Sequence, residues 1–394
     1  MKIKKHNFLI LLGIILLSAN LRMVITSIPP LLNFIQQSLH ISKSIIGILT
    51  TIPLICFALL SVIVPPIAKK IGNELSIFVS LIILLIGNSF RIFSSSLMII
   101  GTIFIGIGLT FLNVLLPSLV AEYYPNKTSL LTSIYTLIMT LCSAISAGIS
   151  VPLTNILSWQ KTILIFSIPI IINIGVWTPI LKENSVPQKE IQQKQNEINY
   201  NHIVWYKKTA WAMALYAGLE SLIFYTLITW LPTIVVSRGL SSDTGGMLLS
   251  LFQFFSLPSA YIIPIWAEKS KHQNTIILLI GLGFLIGIGG MLVNTTNIYI
   301  LACLFIILGL SATGAFSLLM TLFNLKTTNH QQSAAISGMS QSVGYVIAAI
   351  GPVTFGYIHN IIHAWNPLFI LLIMLDIFMI LSVIYINHTN KIFQ

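Results

Sequence analysis

Long apolar runs separated by short polar breaks organise this chain. A membrane-crossing helix needs about 20 apolar residues. Twelve stretches meet that need: 8–34, 44–68, 75–94, 97–121, 129–155, 162–181, 209–236, 243–267, 274–293, 298–322, 332–360 and 367–387. Most breaks hold only a few residues. The exception is 182–208, KENSVPQKEIQQKQNEINYNHIVWYKK, which is polar, rich in Gln and Asn and mixed in charge. It reads as a flexible or amphipathic cytosolic linker. It separates an N-terminal six-helix bundle (1–181) from a C-terminal one (209–394). The pattern predicts an all-α membrane protein.

Composition narrows the solvent to a bilayer. Of 394 residues, 56% are hydrophobic and 7% charged, where a soluble domain carries about 25% charged residues. Such a chain in water would expose more apolar surface than is tolerated. The start, with Lys2, Lys4 and Lys5, resembles a secretory n-region. The apolar run behind it is too long and no small-residue cleavage site follows, so the run reads as a retained span. Cys56, Cys142 and Cys303 all lie in apolar runs without a CxxC neighbour. Neither a disulfide nor zinc is indicated, and they read as small core residues. No metal and no cofactor is expected.

The net charge of +11 raises the question of nucleic acid, and the positions of the charges argue against it. With the N-terminus inside, the inner segments hold 15 basic residues: Lys2, Lys4, Lys5, Lys69, Lys70, Lys127, Lys182, Lys189, Lys194, Lys207, Lys208, Lys269, Lys271, Lys326 and Lys391. The outer segments hold four: Lys43, Arg91, Lys161 and Arg238. Lys and Arg accumulate in cytoplasmic loops. The expectation is a multi-pass protein of the cell membrane with both termini cytoplasmic, in contact with lipid, not nucleic acid, and monomeric.

The two halves repeat each other. SKSIIGILTTIPLICFALLSVIVPPIAKK (Ser42 to Lys70) aligns with SSDTGGMLLSLFQFFSLPSAYIIPIWAEK (Ser241 to Lys269) at a constant offset of 199. Gly47 meets Gly246, Pro65 meets Pro264 and Lys70 meets Lys269. Gly108-Leu109 in span 4 matches Gly309-Leu310 in span 10, and spans 5 and 11 each carry a late proline, Pro152 and Pro352. Two parallel six-span repeats mark the major facilitator fold, with its solute site near the midplane between the halves.

A charge at mid-membrane costs at least about 2.5–3.5 kcal/mol and generally faces a cavity or a partner. Arg22 in span 1, Glu220 in span 7 and Asp376 in span 12 are of this kind. Arg91, Glu122, Arg238 and Asp243 sit at span ends, where snorkelling makes them inexpensive. Arg22 carries a permanent planar cation that can grip an oxyanion or planar acid through paired hydrogen bonds. A structural charge pair is its other reading. Glu220 lies in the repeat-mate of span 1 at similar depth. Pairing with Arg22 would close an empty cavity, and proton uptake by a displaced glutamate would couple transport to protons. Asp376 lies in an outer-ring span and reads as structural.

Uncharged polar residues on the cavity spans complete the set: Asn20, Thr26, Ser27, Asn113, Tyr225, Trp230, Gln253, Gln341 and Tyr345. Each can bond a solute or a neighbouring helix. GLGFLIG (Gly281 to Gly287) lies inside an apolar span with no preceding strand, so its glycines serve helix packing, not a dinucleotide. His359 and His363 stand four apart with no acidic third ligand nearby, and read as interfacial. Pro29, Pro30, Pro53, Pro65, Pro66, Pro232 and Pro352 predict broken or bent spans 1, 2, 7 and 11. No paired carboxylates or His cluster make an enzyme, and no large soluble output domain makes a sensor.

Three strings resemble a known family. LRMVITSIPPLL with GILTTIPLICFALLSVIVPPIAKKIG, GLESLIFYTLITWLPTIVVSRGLS, and SAAISGMSQSVGYVIAAIGPVTFGYIH resemble motifs of the cyanate permease and 2-nitroimidazole transporter family, within the major facilitator superfamily. The resemblance covers essentially the whole chain outside 182–208. It implies a small-molecule permease in which Arg22 contributes to recognition and Tyr225, Trp230, Gln341 and Tyr345 fall on motif positions. Three departures stand out. Met23 replaces the proline that usually follows the arginine, Glu220 stands where a glutamine is usual, and PPIAKKIGNE lacks the aspartate of the superfamily's loop signature. The expected function is secondary transport of a small polar or anionic solute, cyanate-like or nitroimidazole-like, by alternating access, with proton coupling through Glu220 as one reading and its static pairing with Arg22 as the other. The solute contacts are Arg22, Thr26, Asn113, Tyr225, Trp230, Gln341 and Tyr345, with Glu220 coupling or gating. A multidrug exporter of the same fold is the alternative.

Overall fold

The computed structural model describes residues 2–61, 63–124, 127–183, 203–270, 273–328, 330–389 and 391–392. Most of the stretch read as a linker, 184–202, lies outside the described residues. Among the described residues every regular element is helical. Eleven helical stretches are long and apolar enough to cross a membrane, and twelve when one bent pair counts as a single span.

The spans are Phe8–Leu39 (span 1), the bent pair Ile45–Leu60 with Val64–Ile71 (span 2), Asn73–Phe90 (3), Ser95–Val120 (4), Leu130–Ile156 (5) and Trp159–Leu181 (6). They continue with Lys208–Ser237 (7), Ser242–Lys269 (8), Asn274–Met291 (9), Ile298–Leu325 (10), Ala335–Ile362 (11) and Asn366–His388 (12). The chain forms two compact units. The first comprises Met1–Ile41 and Ile52–Gln193, the second Ser42–Thr51 and Lys194–Gln394.

Within each unit the same spans pack. In the first, span 1 lies against spans 4, 5 and 6, and span 3 against spans 4 and 6. In the second, span 7 lies against spans 10, 11 and 12, and span 9 against spans 10 and 12. Each pairing in one unit has its mate six spans later in the other. The two units thus share a packing pattern among these spans, while the start of span 2, in the aligned stretch Ser42–Lys70, lies in the second unit.

Small residues set these approaches, since side-chain bulk limits how near two apolar helices can lie. A Cβ on Gly87 of span 3 would come within 2.6 Å of the Gly101 carbonyl of span 4. In the second unit a Cβ on Gly309 of span 10 would collide with the Phe252 carbonyl of span 8. The start of span 2 belongs to the second unit for the same reason. A Cβ on Gly47 would stand 2.5 Å from the Pro352 carbonyl, and the Thr51 hydroxyl donates to the Ala349 carbonyl at 3.0 Å.

Proline acts differently along the chain than the sequence predicts. Span 2 bends by 68°, and Pro65 and Pro66 open its second helix, where a missing N–H costs no bond. Span 1 breaks at a short 3-10 turn, Pro29–Leu31, between helices Lys2–Thr26 and Leu32–Leu39. Spans 7 and 11 do not break at Pro232 and Pro352 as the sequence predicts: both helices run through, Lys208–Ser237 and His330–Ile362. A lone proline removes one internal bond, and the flanking turns hold. Span 8 breaks instead, at Phe255–Ser256, with Pro258 in the first turn of Leu257–Lys269.

The loop departure has a structural counterpart. The Tyr123 hydroxyl at the end of span 4 donates to Glu74 Oε1 at 2.6 Å. Asn73 donates to Glu122 Oε2 at 2.9 Å. These bonds tie the start of span 3 to the end of span 4.

Candidate functional site

In the first unit the candidate residues gather on span 1 just before its break. Arg22 is half-buried on the last turns of helix Lys2–Thr26. One turn later the Thr26 hydroxyl, 1% exposed, donates to the Arg22 carbonyl at 2.9 Å. It also lies 2.8 Å from the Ser146 hydroxyl of span 5. Thr26 thus locks the backbone that carries Arg22 and fastens it to the neighbouring span. Asn20, fully buried, donates to the Pro169 carbonyl of span 6 at 3.3 Å. Asn113 of span 4 is exposed within this unit, and its amide turns back to the Leu109 carbonyl at 2.9 Å.

The break itself frees a carbonyl. Ile28 N–H bonds the Ile25 carbonyl at 3.3 Å, an i to i−3 closure. Pro29 and Pro30 have no N–H to offer. The Val24 carbonyl takes its hydrogen bond from elsewhere, at 3.2 Å from Arg91 Nη1. Ser27 Oγ adds a longer one at 3.4 Å.

Arg91 is the residue that sequence reasoning misses. Its position at a span end suggests a head group in water. The structure instead buries it to 2% exposure just past the end of span 3. Its Nε donates to Thr102 Oγ1 of span 4 at 3.1 Å. The side chain turns inward because Gly101 leaves room for it: a Cβ there would meet Arg91 Cγ at 3.2 Å. A guanidinium stays charged at neutral pH, so a full cation is held in this place. The signal available in the sequence is the pair Gly87 and Gly101, at the ends of spans 3 and 4 that flank it.

In the second unit spans 7 and 11 lie side by side in parallel register. Gly344 meets Ala217, and Gly351 meets Leu222 and Thr226. This brings Glu220, Tyr225, Gln341 and Tyr345 onto one helix pair, with Glu220 and Tyr345 within about one helical turn in height. Glu220 is 2% exposed and accepts a bond from the Ser221 hydroxyl at 3.0 Å. Tyr225 is 7% exposed, and its ring sits edge-on to Phe224 at 5.2 Å. Gln341 is half-buried and donates to Ser337 Oγ at 2.8 Å. Tyr345 is half-buried.

Trp230 stands apart from this group. It is buried, its indole N–H donates to the Pro352 carbonyl at 3.0 Å, and its ring lies 5.6 Å from Trp365. It lines a small apolar cavity with Thr226, Ile234, Phe355, Trp365 and Phe369. His359 stacks on Trp365 at 3.8 Å, whereas His363 is exposed beyond the helix end. The two histidines do not share a face. Asp376 is fully buried, and neither carboxylate oxygen has a hydrogen-bond partner among the described residues.

Comparison with known proteins gives a family and relatives. The model of the Major Facilitator Superfamily matches residues 10–352. An uncharacterized transporter, YycB, of Bacillus subtilis (strain 168) is 36% identical over 94% of this chain and 91% of its own. A 2-nitroimidazole transporter of Escherichia coli (strain K12) is 30% identical over 92% and 91%. The cyanate transport protein CynX of the same strain is 23% identical over 89% and 90%. Among solved structures, a D-xylose-proton symporter superposes with a TM-score of 0.77 at 11% identity, covering 100% of this chain and 99% of that one.

Proposed function

This chain belongs to the Major Facilitator Superfamily and is a multi-pass membrane transporter of small molecules, not an enzyme, and we propose that its cargo is a small polar or anionic solute gripped by Arg22. One observation carries the reading. Arg22 holds a permanent cation on a membrane span, half-buried, immediately before the break of that span, on a backbone fastened by Thr26 to Ser146. A cation kept at that depth attracts an anion or the electron-rich edge of a polar heterocycle, whatever else it contacts when no solute is there. The cyanate and nitroimidazole relatives handle solutes of these kinds by name.

Asn113 adds a hydrogen-bonding group in the first unit, where Thr26 serves by fastening the turn that carries Arg22, and Tyr225, Gln341 and Tyr345 add theirs in the second. Trp230 acts through the Pro352 segment of span 11 in this reading. Glu220 is the coupling group: a buried carboxylate on a transport path exchanges a proton in step with the solute. The protein works as a monomer in the cell membrane, with both termini cytoplasmic and residues 182–208 as the link between two six-span bundles.

The test is uptake of radiolabelled cyanate and 2-nitroimidazole by proteoliposomes, with wild type and Arg22→Ala compared at matched reconstitution. Uptake by the wild type that falls about tenfold or more in the variant supports the reading. Undiminished uptake in Arg22→Ala overturns it. Protection of a drug-sensitive host against many hydrophobic cations would favour an exporter instead.

A further inference from the structure

We propose that Arg91 is a positioning residue for transport: it pins the carbonyl freed where span 1 breaks, and so fixes the height and direction of Arg22. The inference rests on the reading of Arg22 as the solute-gripping group. It begins from an oddity of burial. A guanidinium at 2% exposure is costly to hold unless its protons are bonded. Among the described residues its hydrogen bonds run to Thr102 Oγ1 and the Val24 carbonyl, both uncharged.

Both acceptors are informative. The Thr102 hydroxyl also donates to its own helix at the Met98 carbonyl, 2.7 Å away, which fixes its lone pairs toward Arg91. Val24 is two residues beyond Arg22, and its carbonyl is the one that the tightened Ile28–Ile25 closure leaves open. A planar fork that cannot lose its charge at neutral pH is suited to such a task. It reaches from the end of span 3 to span 1 and holds the break in one geometry. The close approach of Gly87 to Gly101 sets the depth from which it reaches.

Arg91 touches no solute in this scheme. It acts through the Val24 carbonyl on the turn that carries Arg22, and its charge adds to the positive potential of the first unit's interior. Loss of the bond lets the turn between Arg22 and Leu31 fluctuate. Arg22 then samples more orientations, and solute binding weakens before turnover does.

The experiment compares wild type, Arg91→Ala, Arg91→Lys and Thr102→Val in two measurements. Hydrogen–deuterium exchange in detergent follows the peptide covering residues 21–31. Exchange there rises about tenfold or more in Arg91→Ala, less in Thr102→Val, while peptides of spans 7–12 keep wild-type rates. A general loosening across both units would mean a merely structural role and overturns the proposal, as does an unchanged 21–31 peptide. Proteoliposome uptake of cyanate gives the second readout. KM rises in Arg91→Ala with Vmax within about twofold, and Arg91→Lys, which keeps the charge but loses the planar fork, recovers part of the loss. A fall confined to Vmax overturns the proposal. If Arg22→Ala leaves uptake unchanged while Arg91→Ala still loosens residues 21–31, the cargo reading fails and the pinning stands. If Arg91→Ala does not fold, Arg91→Lys and Thr102→Val carry both measurements.

Discussion

Trp230 donates its indole N–H to the carbonyl of Pro352, on the stretch of span 11 where Gly47 and Thr51 also settle. The Pro352 carbonyl therefore has a donor from span 7 and a neighbour from the start of span 2. Replacing Trp230 with Phe keeps an aromatic ring and removes the donor. The expected cost is about 0.5–1.5 kcal/mol for the loss of one intramolecular hydrogen bond, since the carbonyl keeps its place in the continuous helix. Thermal unfolding in detergent should register it, with solute KM changed less than by Arg22→Ala.

Glycines separate by what lies opposite them. Gly87→Ala and Gly309→Ala force helices apart, because their neighbours are backbone carbonyls that cannot swing away. Each should destabilise by roughly 1–3 kcal/mol. Gly175, in helix Ile168–Glu183, has open space around it, with nothing within 4 Å of where an added Cβ would sit. Gly175→Ala should be neutral or stabilise by about 0.5–1 kcal/mol, since alanine loses less freedom in a helix. Melting temperatures of the three variants, measured side by side, check the ordering.

Arg22→Lys tests what kind of cation is needed. Lysine keeps the charge and loses the planar pair of donors. Uptake should remain measurable, with KM raised by about tenfold, because the second bond of a bidentate grip is lost. Equal KM for both side chains would point to charge alone.

Glu220→Gln tests the coupling. The amide keeps the shape and can still accept from Ser221, but it cannot exchange a proton. Uptake driven by an imposed pH gradient should collapse to the rate without one, while solute exchange between equally loaded compartments continues. Gradient-driven uptake at the wild-type rate would remove Glu220 from the coupling step.

Much of this is legible in the residues. Runs of about 20 apolar residues announce spans without further information, because hydrocarbon leaves a helix few alternatives. The offset of 199 between Gly47 and Gly246 tells of duplication, and spans 1 and 3–6 pack as spans 7 and 9–12 do. Arg22 stands out because its neighbours in span 1 are uncharged. Arg91 does not. Its sequence position at a span end is compatible with a head group in water, and what sends it inward is space opened by Gly101 on another helix. Proline is legible only as a prospect. Pro29, Pro30, Pro65 and Pro66 break spans in pairs, whereas Pro232 and Pro352 are carried by intact flanking turns. That Ser42–Thr51 joins the second unit also depends on a pairwise fit, Gly47 on Pro352, which no single stretch encodes.

Lys326, at the end of span 10, has its ammonium bonded to the carbonyls of Asn387 and Thr389, 3.0 and 2.7 Å away, and its own carbonyl receives Ile392 N–H at 3.0 Å. Those acceptors lie 61 and 63 residues further along the chain. At about 5–20 residues per second of synthesis, the lysine emerges several seconds before anything exists to receive it. This corner of the fold can therefore close only once spans 11 and 12 are in place, which makes Lys326 a clasp that is set late in assembly.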